Sequence, residues 1–283
     1  MNDTIKKPTK FKLNQIVTNN PNRASLGPIP SVTNSKMLKN TALLNAIRRP
    51  FILKSQYHSV IPLNIYQTWH SKTLPPLMEK NVEVIKNNNP QFNYYLYDDN
   101  DCREFIKNNF PQHVLNAFDK LVPGAYKADL WRYCVLYKNG GIYLDIKYTP
   151  INKFRFIALT EMEHWVLDVD NRGIYNALIV ANAGNLILLK AINQIVKHVN
   201  NRFYGNGPLE VTGPMMLARF FSPNDKKKMD MHHRFYNSFN YRFIIFNNKW
   251  VFKSYNGYLK EHSKYQKAQH YSRLWHDHKI YRK

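Results

Sequence analysis

Cysteine is scarce in this chain of 283 residues, which holds only Cys102 and Cys134. Two thiols build neither a disulfide framework nor a thiolate zinc site. Cys134 falls in an apolar, helix-like stretch and reads as a small core residue. Both cysteines read as reduced thiols of an intracellular protein. Long apolar runs are missing too. No segment reaches the roughly 20 residues needed to span a bilayer, and the first apolar stretch is broken by Arg48 and Arg49. The opening 30 residues are polar and lack the apolar core of a signal peptide. These absences set the expectation of a cytoplasmic or soluble intracellular protein. No internal repeat is visible.

Acids are also scarce. Lysine and arginine number 41 against 19 aspartates and glutamates, a formal charge of +22. The excess lies at the ends. Residues 1–60 carry ten basic side chains and one acid, residues 61–218 carry 16 and 14, and residues 219–283 carry 15 and four. Basic ends favour anionic partners, whether phosphates, acidic membrane surfaces or nucleic acid. A solvated, lysine- and asparagine-rich surface is the plainer reading of the same numbers. The chain has no helix-turn-helix, zinc-finger or RNP pattern, and its charge sits outside the balanced middle, which argues against nucleic acid.

Residues 1–59 are rich in Pro, Asn, Ser and Lys and read as a basic extension, partly disordered or helical, with a short amphipathic helix around Met37–Arg49. That helix is expected to pack on the domain, and contact with an anionic membrane stays open. A folded domain is expected over residues 60–283. Ile61–Trp69 and Asn93–Asp98 read as strands, and Pro75 opens a helix running to about Asn88. The acids of Asp98–Asp101 are placed to cap a helix over Cys102–Asn109. Helices over Pro111–Lys120 and Ala125–Lys138 follow. Strand–helix alternation of this kind argues for a parallel sheet with helical crossovers. Further on, Trp165–Asp168, Asn176–Ala181, Phe243–Phe246 and Trp250–Phe252 read as strands, Leu186–Val199 and Met215–Phe220 as helices, and Lys226–Lys228 as an exposed loop.

The most informative stretch runs from Lys127 to Asp145. A helix is stopped by Gly140 and Gly141, and the short apolar strand Ile142–Leu144 ends on Asp145. Strand carboxyl ends are where α/β sheets bind ligands. Asp129 and Arg132, three residues apart, share one helical face. The segment therefore delivers two acids and an arginine towards one place. The plainer alternatives are a strand-end Asp that caps a turn and a surface ion pair.

Gly140-Gly-Ile-Tyr-Leu-Asp-Ile-Lys147 resembles the strand and Asp-X-Asp segment of glycosyltransferase family 32, which includes fungal initiating α-1,6-mannosyltransferases and capsular polysaccharide transferases. Ile61–Trp69 resembles the opening strand of that family, Asn89–Asp99 its second strand, and Lys127–Tyr133 its helix motif. Val211-Thr-Gly-Pro214 resembles a later turn, and His270 with Trp275 a C-terminal His-plus-Trp pattern. The matches run in order over about residues 61–278.

The resemblance implies a GT-A type α/β fold: one nucleotide-sugar-binding domain with a mixed, mainly parallel central sheet flanked by helices. It implies a retaining glycosyltransferase that moves a hexose or N-acetylhexosamine from a UDP- or GDP-sugar to a glycan, glycolipid or protein acceptor. The alternatives are a basic protein that binds nucleic acid or other anions, and a degenerate transferase that binds donor without turnover. Carried over by position, Trp69 would stack on the base, Asp129 and Arg132 would hold the sugar and ribose hydroxyls, and Asp145 would meet the metal or the diphosphate. Gln67, Tyr143, Lys147 and Asn176 complete the implied donor-binding set. The plain reading of Trp69 is a core residue that closes its strand. Mn²⁺ or Mg²⁺ is the implied cofactor, with Asp145 and His270 as its ligands. Lys147 stands where the pattern has its second acid. It would either point away from the site or contact the diphosphate and partly replace the cation. The pair His276 and His278 lacks helical metal-site spacing and reads as surface histidines. Asp168, Asp170 and Glu210 offer no clear nucleophile.

Overall fold

The computed structural model describes residues 9–12, 44–236, 241–266 and 268–282. Strands β1 (Thr9–Lys12) and β2 (Gln56–Ser59) form an antiparallel pair of their own. The main sheet contains β3 (Asn64–Thr68), β4 (Asn93–Tyr97), β5 (Gly141–Leu144), β6 (Tyr148–Pro150), β7 (His164–Leu167), β8 (Ile174–Ala181), β9 (Met231–Tyr236), β10 (Tyr241–Phe246) and β11 (Lys249–Ser254). Their spatial order is β4-β3-β5-β8-β7-β9-β10-β11-β6. Helices α1 (Pro76–Asn88), α2 (Asp99–Asn109), α3 (Gln112–Lys120), α4 (Gly124–Asn139) and α5 (Leu186–Asn200) are followed by the short α6 (Pro214–Leu217), α7 (Pro223–Lys227), α8 (Tyr258–Tyr265) and α9 (Tyr271–His276). Among the described residues no helix is long and apolar enough to cross a membrane.

The mixed sheet flanked by helices matches expectation, but its balance does not. Only β4–β3, β3–β5 and β7–β9 pair in parallel, three of eight pairings. Helical crossovers, which parallel neighbours require, operate in the first half of the chain. From β7 onward few residues separate β7 from β8, β9 from β10 and β10 from β11, and connections that short make antiparallel neighbours. The sequence pattern does not show β1, β2, β6, β9, α8 or α9, and α7 lies where it indicates a loop. These are short elements without a strong apolar period.

One distance argument fixes the shape of the sheet. Strands β5 and β6 are joined by Asp145, Ile146 and Lys147 alone, yet they lie six positions apart in the sheet. Six flat spacings amount to about 29 Å. Four Cα steps reach at most about 14 Å. The sheet must therefore curl until its far edge returns to its centre, and residues 145–147 form the strap that bridges the fold. The pleat sorts residues between two cores. Tyr66, Tyr143 and Ile179 face the helices. Their neighbours Ile65, Ile142, Leu144, Leu178 and Val180 face the inside of the curl with Phe156 and Phe252.

The start of the folded body lies earlier than residue 60. Tyr57 is buried in the inner core with Phe51 and Leu53 packed against it, and Ile47 packs with Phe243 and Trp250. Residues 44–47 form a helical turn. Residues 37–43 of the amphipathic helix expected over Met37–Arg49 lie outside the described residues, and the helical turn ends before Arg48. Cys102 and Cys134 are both free and buried, as their apolar surroundings imply. Asp98 caps α2 by accepting from the Asp101 amide while the Asp101 side chain accepts from the Asp98 amide, a reciprocal capping box.

Helix α4 ends where Gly140 takes φ +62°, and Gly141 follows at φ +119°. A Cβ on Gly141 would lie 2.8 Å from the Asn64 carbonyl oxygen of the neighbouring strand. Alanine there combines a disfavoured backbone with a backbone clash. Gly141→Ala is expected to cost about 2–4 kcal/mol, read by chemical denaturation. A loss below about 0.5 kcal/mol would show that β5 and β3 can separate freely.

Candidate functional site

Helix α4 is buried on almost every side, because α5 and the sheet enclose it. That placement decides the character of Asp129 and Arg132. They are 7% and 6% exposed and so are interior charges. Arg132 Nη2 lies 3.3 Å from Asp129 Oδ1, and Nη1 lies 3.4 Å from Asp145 Oδ1. Nη1 also donates to the Asn176 carbonyl at 2.7 Å, and the guanidinium sits 4.3 Å over the Tyr143 ring. One guanidinium thus ties the helix to the strand end.

Asp129 accepts from Thr212 Oγ1 at 2.7 Å and from Asn176 Nδ2 at 2.9 Å. Burial raises its carboxyl above the usual value, against the opposing pull of the Arg132 charge and the Thr212 hydrogen bond. Asp145 is the contrasting acid. Burial alone would raise it, but the charges of Lys147 and Arg132 and the hydrogen bonds from Lys147 and Tyr143 outweigh burial and hold it low. Tyr143 Oη donates to Asp145 Oδ1 at 2.7 Å, and the Lys147 ammonium pairs directly with Oδ2. Burial works against the Lys147 ammonium, yet Asp145 raises its pKa and keeps it charged. The four charges, two of each sign, balance.

Strap residues 145–147 are held by their backbone. The Asp145 amide donates to the Ala177 carbonyl at 2.7 Å, and the Lys147 carbonyl accepts from Tyr255 at 2.9 Å. Asn81 Nδ2 reaches both the Ile146 and Tyr148 carbonyls, at 3.1 and 2.8 Å. Gln67, implied as a donor-binding residue, belongs to this scaffold. It has no exposed surface. Its Nε2 donates to the Leu144 carbonyl at 3.1 Å, and its Oε1 accepts from Tyr94 at 2.7 Å. With both ends bonded and no exposure, Gln67 supports the strand that presents Asp145. Asn176 likewise uses its amide on Asp129 and Tyr133, which makes it a positioning residue for Asp129. Asn81 carried no sequence signal: an Asn in mid-helix reads as a solvent-facing polar residue.

A cleft of about 210 Å³ opens beside the strap. Trp69, His70, Arg132, Tyr143, Asp145 and Lys147 line it, with Asp99 and Tyr258. The Trp69 ring is nearly covered, with its centroid 4.7 Å from that of His70 and 5.9 Å from that of His262. Trp69, Asp145, Lys147, Arg132 and Tyr143 therefore share one cleft, while Asp129 stands behind Arg132.

The metal implied by the resemblance does not fit these residues. Lys147 stands where a second carboxylate would be needed, and its ammonium already neutralises Asp145, the strap acid that lines the cleft. His270 caps α9, its Nδ1 accepting from the Ser272 amide at 3.3 Å and facing Ser272 Oγ at 2.7 Å. Among the described residues no three His, Cys, Asp or Glu side chains gather in metal-binding geometry. His270 uses only Nδ1 on its cap and is not among the residues that line the cleft.

Comparison with known proteins supplies the family context. Residues 75–168 match the family described as glycosyltransferase sugar-binding region containing DXD motif. Inositol phosphoceramide mannosyltransferase 3 of Schizosaccharomyces pombe is 29% identical over 169 residues, 59% of this chain and 47% of that protein. The initiation-specific alpha-1,6-mannosyltransferase of Candida albicans is 32% identical over 111 residues, 37% of this chain and 27% of that protein. The PaToxG glycosyltransferase structure superposes with TM-score 0.45 and 19% identity, covering 65% of this chain and 74% of that one. The chain spans about half, or less, of the length of the curated relatives it matches.

Proposed function

We propose, on the premise that residues 75–168 belong to the family of DXD-containing glycosyltransferase sugar-binding regions, that the protein is a glycosyltransferase that binds a nucleotide-diphosphate sugar beside the strap. The observation that carries this reading is the buried, charge-balanced set in which Arg132, Asp145 and Lys147 line the cleft and Asp129 backs Arg132. Buried charges are costly and persist only where they are paired. A set of four at a strand end, in contact with a cleft, suits a ligand with both hydroxyls and phosphates.

The chemistry follows from the residues. Asp145 offers acceptor oxygens to sugar hydroxyls. Arg132 supplies a planar pair of donors suited to phosphate or ribose. Lys147 brings a positive point charge to a place where charge grows on a departing nucleoside diphosphate. A fixed cation in a water-poor site stabilises such a leaving group. The acceptor hydroxyl can pass its proton to that leaving phosphate, so a front-face retaining transfer needs no base from the protein. Trp69 presents an aromatic edge for the nucleotide. A cleft of about 210 Å³ is smaller than the ~300–1,000 Å³ of usual ligand pockets, so donor entry requires movement of a lining residue such as Tyr258 or Gln266.

Mannose is the proposed sugar, because the two curated relatives described above are named as mannosyltransferases. The test is nucleotide release from a panel of GDP- and UDP-sugars. GDP release from GDP-mannose is expected, and Asp145→Ala is expected to lower it by at least about 10²-fold. Unchanged turnover in Asp145→Ala would remove Asp145 from the site. Donor binding without release would assign the degenerate reading instead.

A further inference from the structure

The cleft beside the strap holds a second acid, Asp99. Strands β3 and β4 pair in parallel with Thr68 opposite Tyr97, and the Trp69 amide donates to the Tyr97 carbonyl at 3.1 Å. Trp69 and the residues that follow Tyr97 therefore leave the sheet together. Of the three acids there, two are engaged. Asp98 and Asp101 accept from each other's amides in the capping box of α2, and Asp101 also pairs with Lys72. Asp99 caps nothing, is exposed, and among the described residues belongs to no ion pair. It lines the cleft with Trp69 and His70 from the end of β3 and with Gly124, Ala125 and Ala128 from the start of α4. That helix wall is flat, and a Cβ on Gly124 would meet no atom within 4 Å. An aromatic ring, a flat wall and a free carboxylate suit a planar heterocycle whose edge carries N–H groups.

We infer that Asp99 reads the base of the nucleotide and selects guanine. The inference rests on the donor-site reading above and deepens it by naming the residue that tells one nucleotide from another. A carboxylate only accepts hydrogen bonds. Guanine carries two adjacent donors on one edge, N1–H and the N2 amino group, and a carboxylate takes such a pair with both oxygens. Uracil offers a single N3–H flanked by two carbonyl oxygens, and adenine sets its amino group beside the N1 acceptor. Either base turns an acceptor lone pair towards the carboxylate. A ribose hydroxyl also donates to carboxylates, but it is the same in every nucleotide, so contact with ribose gives no base preference.

Calorimetric binding of GDP, UDP, ADP and xanthosine diphosphate, with no sugar attached, is the test. Wild type is expected to bind GDP at least about tenfold more tightly than UDP or ADP. Asp99→Asn puts an amino group in place of one acceptor oxygen. Xanthine has a carbonyl where guanine has its N2 amino group, so the new amide donates to that carbonyl while its oxygen still accepts from N1–H. The variant is therefore expected to lose at least about tenfold in GDP affinity and to gain at least about tenfold for xanthosine diphosphate, with no loss for UDP. Glu79→Gln is the control, since it removes a carboxylate from the first turn of α1, outside the cleft. It should leave every affinity within about twofold. Equal affinity of wild type for GDP and UDP overturns the proposal, whether or not the variant folds. Parallel loss of GDP and UDP in Asp99→Asn, or loss of GDP without the gain for xanthosine diphosphate, also overturns it. Binding of none of the four nucleotides by wild type overturns the donor-site reading itself. A guanine preference that follows Asp99, in a protein that releases nucleotide from no sugar donor, leaves Asp99 as the base reader and overturns the transferase reading alone.

Discussion

Lys147→Asp is expected to lower turnover about 10²–10³-fold in the presence of chelator and to recover at least about tenfold when Mn²⁺ is added. Wild type is expected to turn over equally with and without chelator. The substitution removes the ammonium that now pairs with Asp145 and restores a second acid two residues away on the same strap. Two carboxylates with no resident cation form a site that a divalent ion can neutralise. Lys147→Met is the control: it removes the charge without adding a ligand, so Mn²⁺ should not rescue it. The measurement is nucleotide release against metal concentration for the three proteins. Loss of wild-type activity in chelator, with recovery on adding Mn²⁺, would defeat the assignment of Lys147 as the built-in cation. The pair is well placed for the exchange because the strap's carbonyls are fixed by Asn81 and Tyr255, so a new side chain at position 147 emerges in the same direction.

Asp129→Ala should cost about 3–5 kcal/mol of stability and abolish turnover together. The cost follows from removing one partner of a buried ion pair. It would leave Arg132, the Thr212 hydroxyl and the Asn176 amide facing an empty site. Asp129→Asn keeps the shape and one acceptor oxygen. Because burial already pushes the Asp129 carboxyl towards its neutral form, the amide is expected to cost only about 1–2 kcal/mol. Its turnover should still fall at least about 10²-fold, since Arg132 loses the charge that orients it towards the cleft. Denaturant melts and nucleotide release on the two variants separate these effects. Full activity in a well-folded Asp129→Asn would show that Asp129 acts only as packing.

Much of this site was legible in the sequence, because its residues lie on one continuous segment. A helix that ends at Gly140–Gly141 and a strand that ends at Asp145 fold back on each other, so Asp129 and Arg132 on the helix meet Asp145 at the strand end. The capping acids of α2 and the central helices were legible for the same reason: local hydrogen bonds and a 3.6-residue apolar period act over short stretches. The bonds of Gln67 to Leu144 and Tyr94 were not legible, because a polar residue on a strand beside a site looks alike whether its amide faces a ligand or a neighbouring carbonyl. The cap that His270 makes for α9 was not legible, because a His followed two residues later by Ser272 gives no distinctive signal.

The sequence by itself determined that a glycine-stopped helix and a short buried strand bring two acids and an arginine to one strand end, since propensity, capping and pleat are local. Only the tertiary structure decided that Asp129 and Arg132 are interior charges, that Lys147 closes on Asp145, and that the sheet curls over a three-residue strap. Those outcomes depend on which distant elements, α5, β8, β11 and the Thr212 turn, come to rest against that segment. Burial and long-range pairing set the strength of charges, and neither is encoded in the spacing of neighbours along a chain.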